Sequence, residues 1–208
     1  ETLPRQLIPS TSADLAMIIE GIITTEDRDG RMHVAPIGPH VDRSLETWVL
    51  KPFQTSTTFS NLHRSPRGVF HVVDDGLLLV ESVLGICNQA AACPDAIYHE
   101  GVGWVLKEAC RAFPLQVIDW DLGQPRAVAQ CMVGTCIEIR PFWGWNRANH
   151  SLLELAVLWS RRELLESTIL TEEFQRHATI IEKTAGDREL SALSILEQHL
   201  AEHLQRKQ

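Results

Sequence analysis

The apolar positions keep a short, strand-like rhythm through the first two thirds of the chain. Met17 to Thr25, MIIEGIITT, is a β-branched run interrupted by Glu20 and Gly21, which suits a strand. A glycine inside such a run predicts a bulge or a close approach by another backbone or a ligand. Asp29-Gly30 ends a turn that begins at Glu26, and Arg31 to Ile37 returns as a second strand closed by Gly38-Pro39. A third strand is predicted from Leu45 to Leu50, then a hydroxyl-rich turn and a short helix to about Arg64. Gly68 to Val73 is a fourth strand, and Asp74-Asp75 is placed to cap a helix over about Leu77–Val83. Residues 85–103 have no clear period and are expected to be irregular. Two long strands, about Cys110–Trp120 and Arg126–Arg140, meet at the Gly123-Gln124-Pro125 turn.

At Pro141 the rhythm changes to a helical one. Phe142 to Asn146 is an aromatic junction, FWGWN. Ser151 with Glu154 reads as a capping box for a helix to about Glu166. Thr171 with Glu172 and Glu173 reads as the start of a second helix, and Gly186-Asp187 as the start of a third. In that last helix Leu190, Leu193, Leu196, Leu200 and Leu204 form one apolar stripe. The expected class is α+β: a small antiparallel barrel carrying one short helix, then a small C-terminal helical domain. The expected division is a loose arm over residues 1–14, a barrel domain over 15–141 and a helical domain over 142–208.

Composition narrows the partners. A net charge of −8 over 208 residues argues against nucleic acid and anionic membranes, which call for a basic footprint. Any anion must therefore be held by a local site. No apolar run reaches the length of a membrane span. The start, ETLPRQLIPSTSADL, has neither the apolar stretch nor the basic flank of a signal peptide and lacks an initiator methionine. The five cysteines contain no CxxC pair. Cys131 and Cys136, read as sharing one strand, would face opposite sides and could not ligate one metal. Reduced, mostly buried thiols in a cytoplasmic protein is the expectation.

The chemistry concentrates at Lys51–Asn61, KPFQTSTTFSN. Thr55, Ser56, Thr57 and Thr58 stand just before or at a helix start, where hydroxyls cap, backbone amides lack partners and the helix dipole is positive. With Lys51 close by and Arg64 and Arg67 beyond, this corner suits a phosphate monoester. The plainer reading is a capped helix on a threonine-rich turn beside a solvated lysine; no P-loop or Rossmann glycine pattern is present.

Other motifs point less far. His199 to His203 reads H-x-x-E-H, but a third ligand and a downstream scaffold are lacking, and it reads as the wet face of an amphipathic helix. His71 reads as a hydrogen-bonded sheet residue. Glu20 lies either on a wet face or near a site. The aspartates at 27, 29, 74 and 75 read as turn and cap residues. No serine or cysteine carries a nucleophile signature. A barrel with a phosphate corner and no acid–base machinery suits a flavin, whose ring carries out hydride and electron chemistry itself.

VAPIGP at 34–39, KPFQTSTTFSNL at 51–62 and GVFHVVDD at 68–75 are similar to the FMN-binding split-barrel proteins of flavin-reductase type. The whole chain, over about residues 16–205, resembles the family called domain of unknown function 447. Its motifs recur here as Glu20–Thr25, Ala35–Pro39, Lys51–Leu62, Val69–Asp75, Trp145–His150 and Glu182–Gly186. Departures are small: Val73 replaces a common threonine, and WNRANH replaces a phenylalanine form. The resemblance implies an FMN-binding split barrel and a homodimer with FMN near the subunit interface. By it, Ala35, Pro36, Ile37 and Gly38 line the flavin, Lys51, Thr55, Ser56, Thr57 and Thr58 hold its phosphate, and Asn61, which follows in the short helix, is a further cofactor-binding residue. Asn146, Arg147 and His150 belong to a junction expected to fold back over the cofactor. The resemblance names no substrate. A flavin-reductase-like oxidoreductase acting on a small molecule, a non-catalytic FMN carrier, and a cofactor-free interaction protein associated with one-carbon or pterin metabolism remain open.

Overall fold

In a computed structural model of the protein, residues 17–207 are described, so the expected arm over 1–14 lies outside the described residues. The strands are β1 (Met17–Ile18), β2 (Gly21–Glu26), β3 (Met32–Ile37), β4 (His40–Val41), β5 (Trp48–Leu50), β6 (Arg67–Val72), β7 (Ala96–His99), β8 (Gly103–Leu106), β9 (Arg111–Asp121), β10 (Val128–Val133) and β11 (Ile137–Glu138). The helices are α1 (Thr57–Arg64), α2 (Gly76–Val83), α3 (Arg147–Ser160), α4 (Ser167–Thr184) and α5 (Asp187–Arg206).

One bent hairpin makes the barrel. β2 pairs with β3, while β1 and β4, their continuations beyond Ile19-Glu20 and Gly38-Pro39, pair with each other. The antiparallel sheet runs β1-β4-β5-β10-β9-β6-β2-β3. Its two ends are thus the two halves of that hairpin, and the sheet curls until they meet. Two glycines permit the bend. A Cβ on Gly21 would lie 2.3 Å from the His71 carbonyl oxygen, and one on Gly38 would lie 2.7 Å from Ile18 Cγ2 and 2.9 Å from Glu20 Oε2. The close approach expected at Gly21 is present.

Alternation fills the barrel. Ile23, Trp48, Leu50, Leu62, Phe70 and Leu115 form its core, and Trp48 meets Phe70 edge-on at 5.3 Å. The Trp48 indole N–H donates to the Leu45 carbonyl at 2.8 Å, which satisfies the polar atom of the largest buried side chain. A second core joins α3, α4 and α5 through Leu152, Leu155, Trp159, Phe174 and Leu196, with Val80 of α2 among them. Leu78 and Leu79 of the same helix pack instead with Ile22 and Val34 of the barrel. α2 is therefore the shared wall between barrel and helices.

Several expected boundaries move. The third strand is only Trp48–Leu50: Asp42 accepts from the amides of Glu46 and Thr47 and holds a turn, with Leu45 at φ 59°. The stretch expected to be irregular contains β7, which pairs as a hairpin with β8, itself starting at the last residue of that stretch. The last long strand breaks at Gly134, whose amide donates to Pro114 O at 2.8 Å. Cys131 and Cys136 therefore do not share a strand; burial pushes the Cys131 thiol up to about 12. α3 begins earlier than expected because the Asn146 side chain caps it, accepting from Ala148 N at 2.7 Å, and Ser151 is buried inside the helix. α4 likewise begins at Ser167, where the Thr171 hydroxyl donates back to the Ser167 carbonyl at 2.8 Å instead of capping. Of the leucine stripe on α5, Leu193, Leu196 and Leu200 are buried while Leu190 is 43 % exposed.

Candidate functional site

The hydroxyl-rich turn folds as a helix start. Ser56 is the N-cap of α1: its Oγ accepts from Phe59 N at 3.1 Å and donates to Phe53 O at 2.7 Å. The amides of Thr57 and Thr58 find no acceptor among the described residues, as the first turn of a helix requires. Thr55 and Thr57 are exposed and Lys51 half-buried. Thr58 is buried, and Asn61 is spent inward, its Nδ2 donating to Thr25 Oγ1 at 3.0 Å. Arg64 sits at the far end of α1 and donates to the Glu26 carbonyl, so it is not part of this corner.

The Ala35–Gly38 segment lies beside it. Ala35 and Ile37 pack on the barrel core while Pro36 faces solvent. Pairing of His40 with Val49 brings the end of this segment to the start of the Lys51 turn. Burial first, and the Lys51 charge second, hold the His40 imidazole below its usual pKa. Lys51, Thr55, Thr57 and two open amides thus lie within one short turn that follows the strand paired with the end of the Ala35–Gly38 segment. This donor set fits a phosphate monoester.

The aromatic junction forms a second cluster. Trp145 stacks at a tilt on His150, ring centroids 5.0 Å apart, and both line a cavity with Asn146, Ile18 and Glu20. That cavity is lined neither by Lys51 nor by residues 55–58. Its link to the corner runs through Ile18 and Glu20, the side chains that crowd Gly38. Arg147 opens α3 exposed, without a hydrogen-bond partner among the described residues. Trp143 does not pack between barrel and helices, being 88 % exposed.

Asp74 holds the junction in place, a role beyond the turn-and-cap reading of the sequence. Its carboxylate takes a two-pronged contact from Arg140 and accepts from the Trp143 amide at 2.8 Å. Burial alone would raise its pKa; the Arg140 hydrogen bond, the Trp143 amide and the Arg140 charge outweigh it and lower it. Asp75 does cap α2. The family-like VFHVVDD segment was the available signal for Asp74, but its partner lies 66 residues away.

His71 is fully buried and satisfied: its Nδ1 lies 3.3 Å from Ile22 O and its Nε2 3.1 Å from Leu106 N. The amide fixes Nε2 as the acceptor and so Nδ1 as the protonated nitrogen. His199 and His203 are not on a wet face. Both meet the edge of Trp159, at 6.0 and 5.8 Å, and His203 is buried. Among the described residues no three His, Cys, Asp or Glu side chains gather as a metal site, and no helix is long and apolar enough to cross a membrane.

Comparison with known proteins places this architecture. No curated protein matches the sequence. Among solved structures, an FMN-bound DUF447 protein from Methanosarcina mazei shares 22 % identity and a TM-score of 0.75, over 89 % of this chain and 96 % of that one. The styrene monooxygenase flavin reductase of Pseudomonas putida S12 shares 12 % identity and a TM-score of 0.50, over 62 % of this chain and 86 % of its own. An FMN-binding protein from Thermus thermophilus with bound 1-cyclohex-2-enone shares 10 % identity and a TM-score of 0.50, over 66 % of this chain and 80 % of its own. At such identities the likeness is one of fold: an α+β chain built on a split β-barrel of the FMN-binding type. Family models described as protein of unknown function (DUF447) match residues 19–134, as its N-terminal domain, and residues 146–198. Together these matches span most of the chain, and the protein belongs to the DUF447 family.

Proposed function

We propose that the protein is an FMN-binding flavoprotein, an oxidoreductase of flavin-reductase-like type that acts on a small molecule as a homodimer. The observation that carries the reading is the open corner at the start of α1, set beside the Ala35–Gly38 segment on a split barrel. Lys51, Thr55, Thr57 and the amides of Thr57 and Thr58 would hold the phosphate, with Ser56 shaping the turn that presents them. Buried Thr58 and Asn61 would act by positioning the helix. The ring would lie along Ala35, Pro36, Ile37 and Gly38, with Asn146, Arg147 and His150 approaching from the junction. Bound FMN supplies hydride and electron transfer; the chain supplies binding, orientation and electrostatics.

The test is a pair of titrations with FMN and riboflavin. Lys51→Ala removes a charge-assisted contact of ~1.5–3 kcal/mol, weakening FMN by roughly 10- to 150-fold while riboflavin changes much less. Equal losses for both ligands would refute the phosphate assignment. Anaerobic mixing with NADH or NADPH then distinguishes a reductase, whose flavin bleaches, from an FMN carrier, whose flavin does not.

A further inference from the structure

Between the bend of the β1–β4 hairpin and the start of α3 lies a cavity of about 340 Å3. Ile18, Ile19, Val72, Leu79 and Leu153 make its aliphatic walls, and Trp145 and His150 make an aromatic one. Most polar groups on its surface are already committed. Asn149 donates to the Asp74 carbonyl and accepts from Gly76 N. The Asp74 carboxylate is held by Arg140 and the Trp143 amide, and Asn146 Oδ1 caps α3.

Of the two carboxylates on this surface, Glu20 is the uncommitted one among the described residues, as are the His150 ring nitrogens and Asn146 Nδ2. The Glu20 carboxylate lines the cavity and crowds Gly38, yet it has no hydrogen-bond or ion-pair partner among the described residues. Burial, and secondarily the negative charge of Glu154, raise its pKa, against the opposing pull of Arg161. Glu20 stands exposed on the rim of this open apolar cleft, beside an imidazole and an indole that is itself 84 % exposed, an arrangement complementary to a flat molecule that brings its own N–H donors. Volume is adequate for such a ring, since ligand pockets begin near ~300 Å3.

We propose that this cavity binds a compact planar ring with an N–H donor edge, neutral or cationic, its donors received by Glu20 and its face lying on Trp145 and His150. The Glu20 carboxylate occupies the space a Cβ on Gly38 would enter, so the ring would sit at the end of the segment assigned above to the flavin. In that respect the proposal rests on the FMN reading and specifies the substrate class of the same site. The cavity and its carboxylate do not depend on the cofactor.

Benzamidine is a suitable probe: an aromatic ring with a two-pronged cationic N–H edge. Benzoate, the same ring with an anionic edge, is the control. Titration is followed by NMR at the Trp145 indole N–H, assigned with Trp145→Phe, in flavin-free and FMN-loaded protein. Benzamidine should shift the Trp145 signal in both, and benzoate should not. Glu20→Gln should weaken benzamidine by roughly tenfold or more, with FMN affinity unchanged. Affinity should also fall as the pH is lowered and Glu20 takes up its proton, because the cation loses its counter-charge. Absence of benzamidine binding at millimolar concentration, equal affinity in Glu20→Gln, or equal binding of benzoate would overturn the proposal. So would displacement of benzamidine by FMN, which would make the cavity part of the flavin site while leaving FMN binding established. Failure of FMN to bind would count against the cofactor assignment alone, and the benzamidine result in flavin-free protein would stand.

Discussion

His71 shows how one buried side chain can give the whole protein a pH dependence. Its ring bridges Ile22 O and Leu106 N, and only the neutral form can accept from that amide. Burial lowers its pKa from 6.5 to about 4. The unfolded chain therefore takes up a proton near pH 6.5 that the folded chain refuses until about pH 4. Stability from this group is complete above the unfolded pKa and is lost as pH falls through the interval. A shift of that size corresponds to roughly 3 kcal/mol. Urea unfolding of wild type and His71→Gln at pH 7, 5.5 and 4 should show a flatter decline in the variant; parallel declines would assign the effect to other groups. The sequence supported reading His71 as a sheet residue, since an isolated histidine among valines is usually hydrogen-bonded. It could not reveal the Leu106 amide, which belongs to a hairpin with no clear period.

At the scale of elements, the start of α3 separates a structural asparagine from a free arginine. Asn146 accepts from two amides of the first turn, so Asn146→Ala should cost about 1 kcal/mol and lower the melting temperature of the flavin-free protein. Arg147 is exposed and unpartnered among the described residues. Arg147→Ala should leave that melting temperature nearly unchanged, and it should weaken FMN several-fold if the guanidinium reaches the cofactor. Unchanged FMN affinity with a large loss of flavin-free stability would make the arginine part of the joint instead. The helix starts themselves were only partly legible. Gly186-Asp187 does open α5, where the Glu189 carboxylate accepts from Gly186 N at 2.9 Å. Ser151 and Thr171 had the right chemistry for caps but lie inside helices: Asn146 caps α3 ahead of Ser151, and the Thr171 hydroxyl bonds back to the Ser167 carbonyl of the preceding turn.

At the scale of the molecule, the outer face of the curled sheet bears on assembly. Val128–Ile137 has few charges, and the structure leaves Met132 57 % exposed on β10 and Ile118 50 % exposed on neighbouring β9. Covering such a face by a second copy would remove apolar area from water. Sedimentation at micromolar concentration should give the mass of a dimer, and Met132→Lys should shift it toward monomer. A monomeric wild type that still binds flavin would rule the homodimer out.

What this sequence determined by itself was whatever depends on a few neighbouring residues. The β-branched runs, the Ser56 cap and the Asp75 cap follow from local sterics and from hydrogen bonds that span three residues or fewer. The open chemistry of Lys51, Thr55 and Thr57 also lies in one short stretch, so it could be read directly. Tertiary structure decided where those pieces meet. Gly21 and Gly38 let the hairpin bend only because His71, Phe70, Ile18 and Glu20 arrive against them. Arg140 finds Asp74 across the chain, and β7–β8 pairs where no period announced it. Glu20 could be read from sequence as a wet-face or a site residue; its position on a cavity wall is set by α3, more than a hundred residues further along. Such choices depend on which distant surfaces exclude water together, and hydrophobic burial does not carry that information in the order of residues.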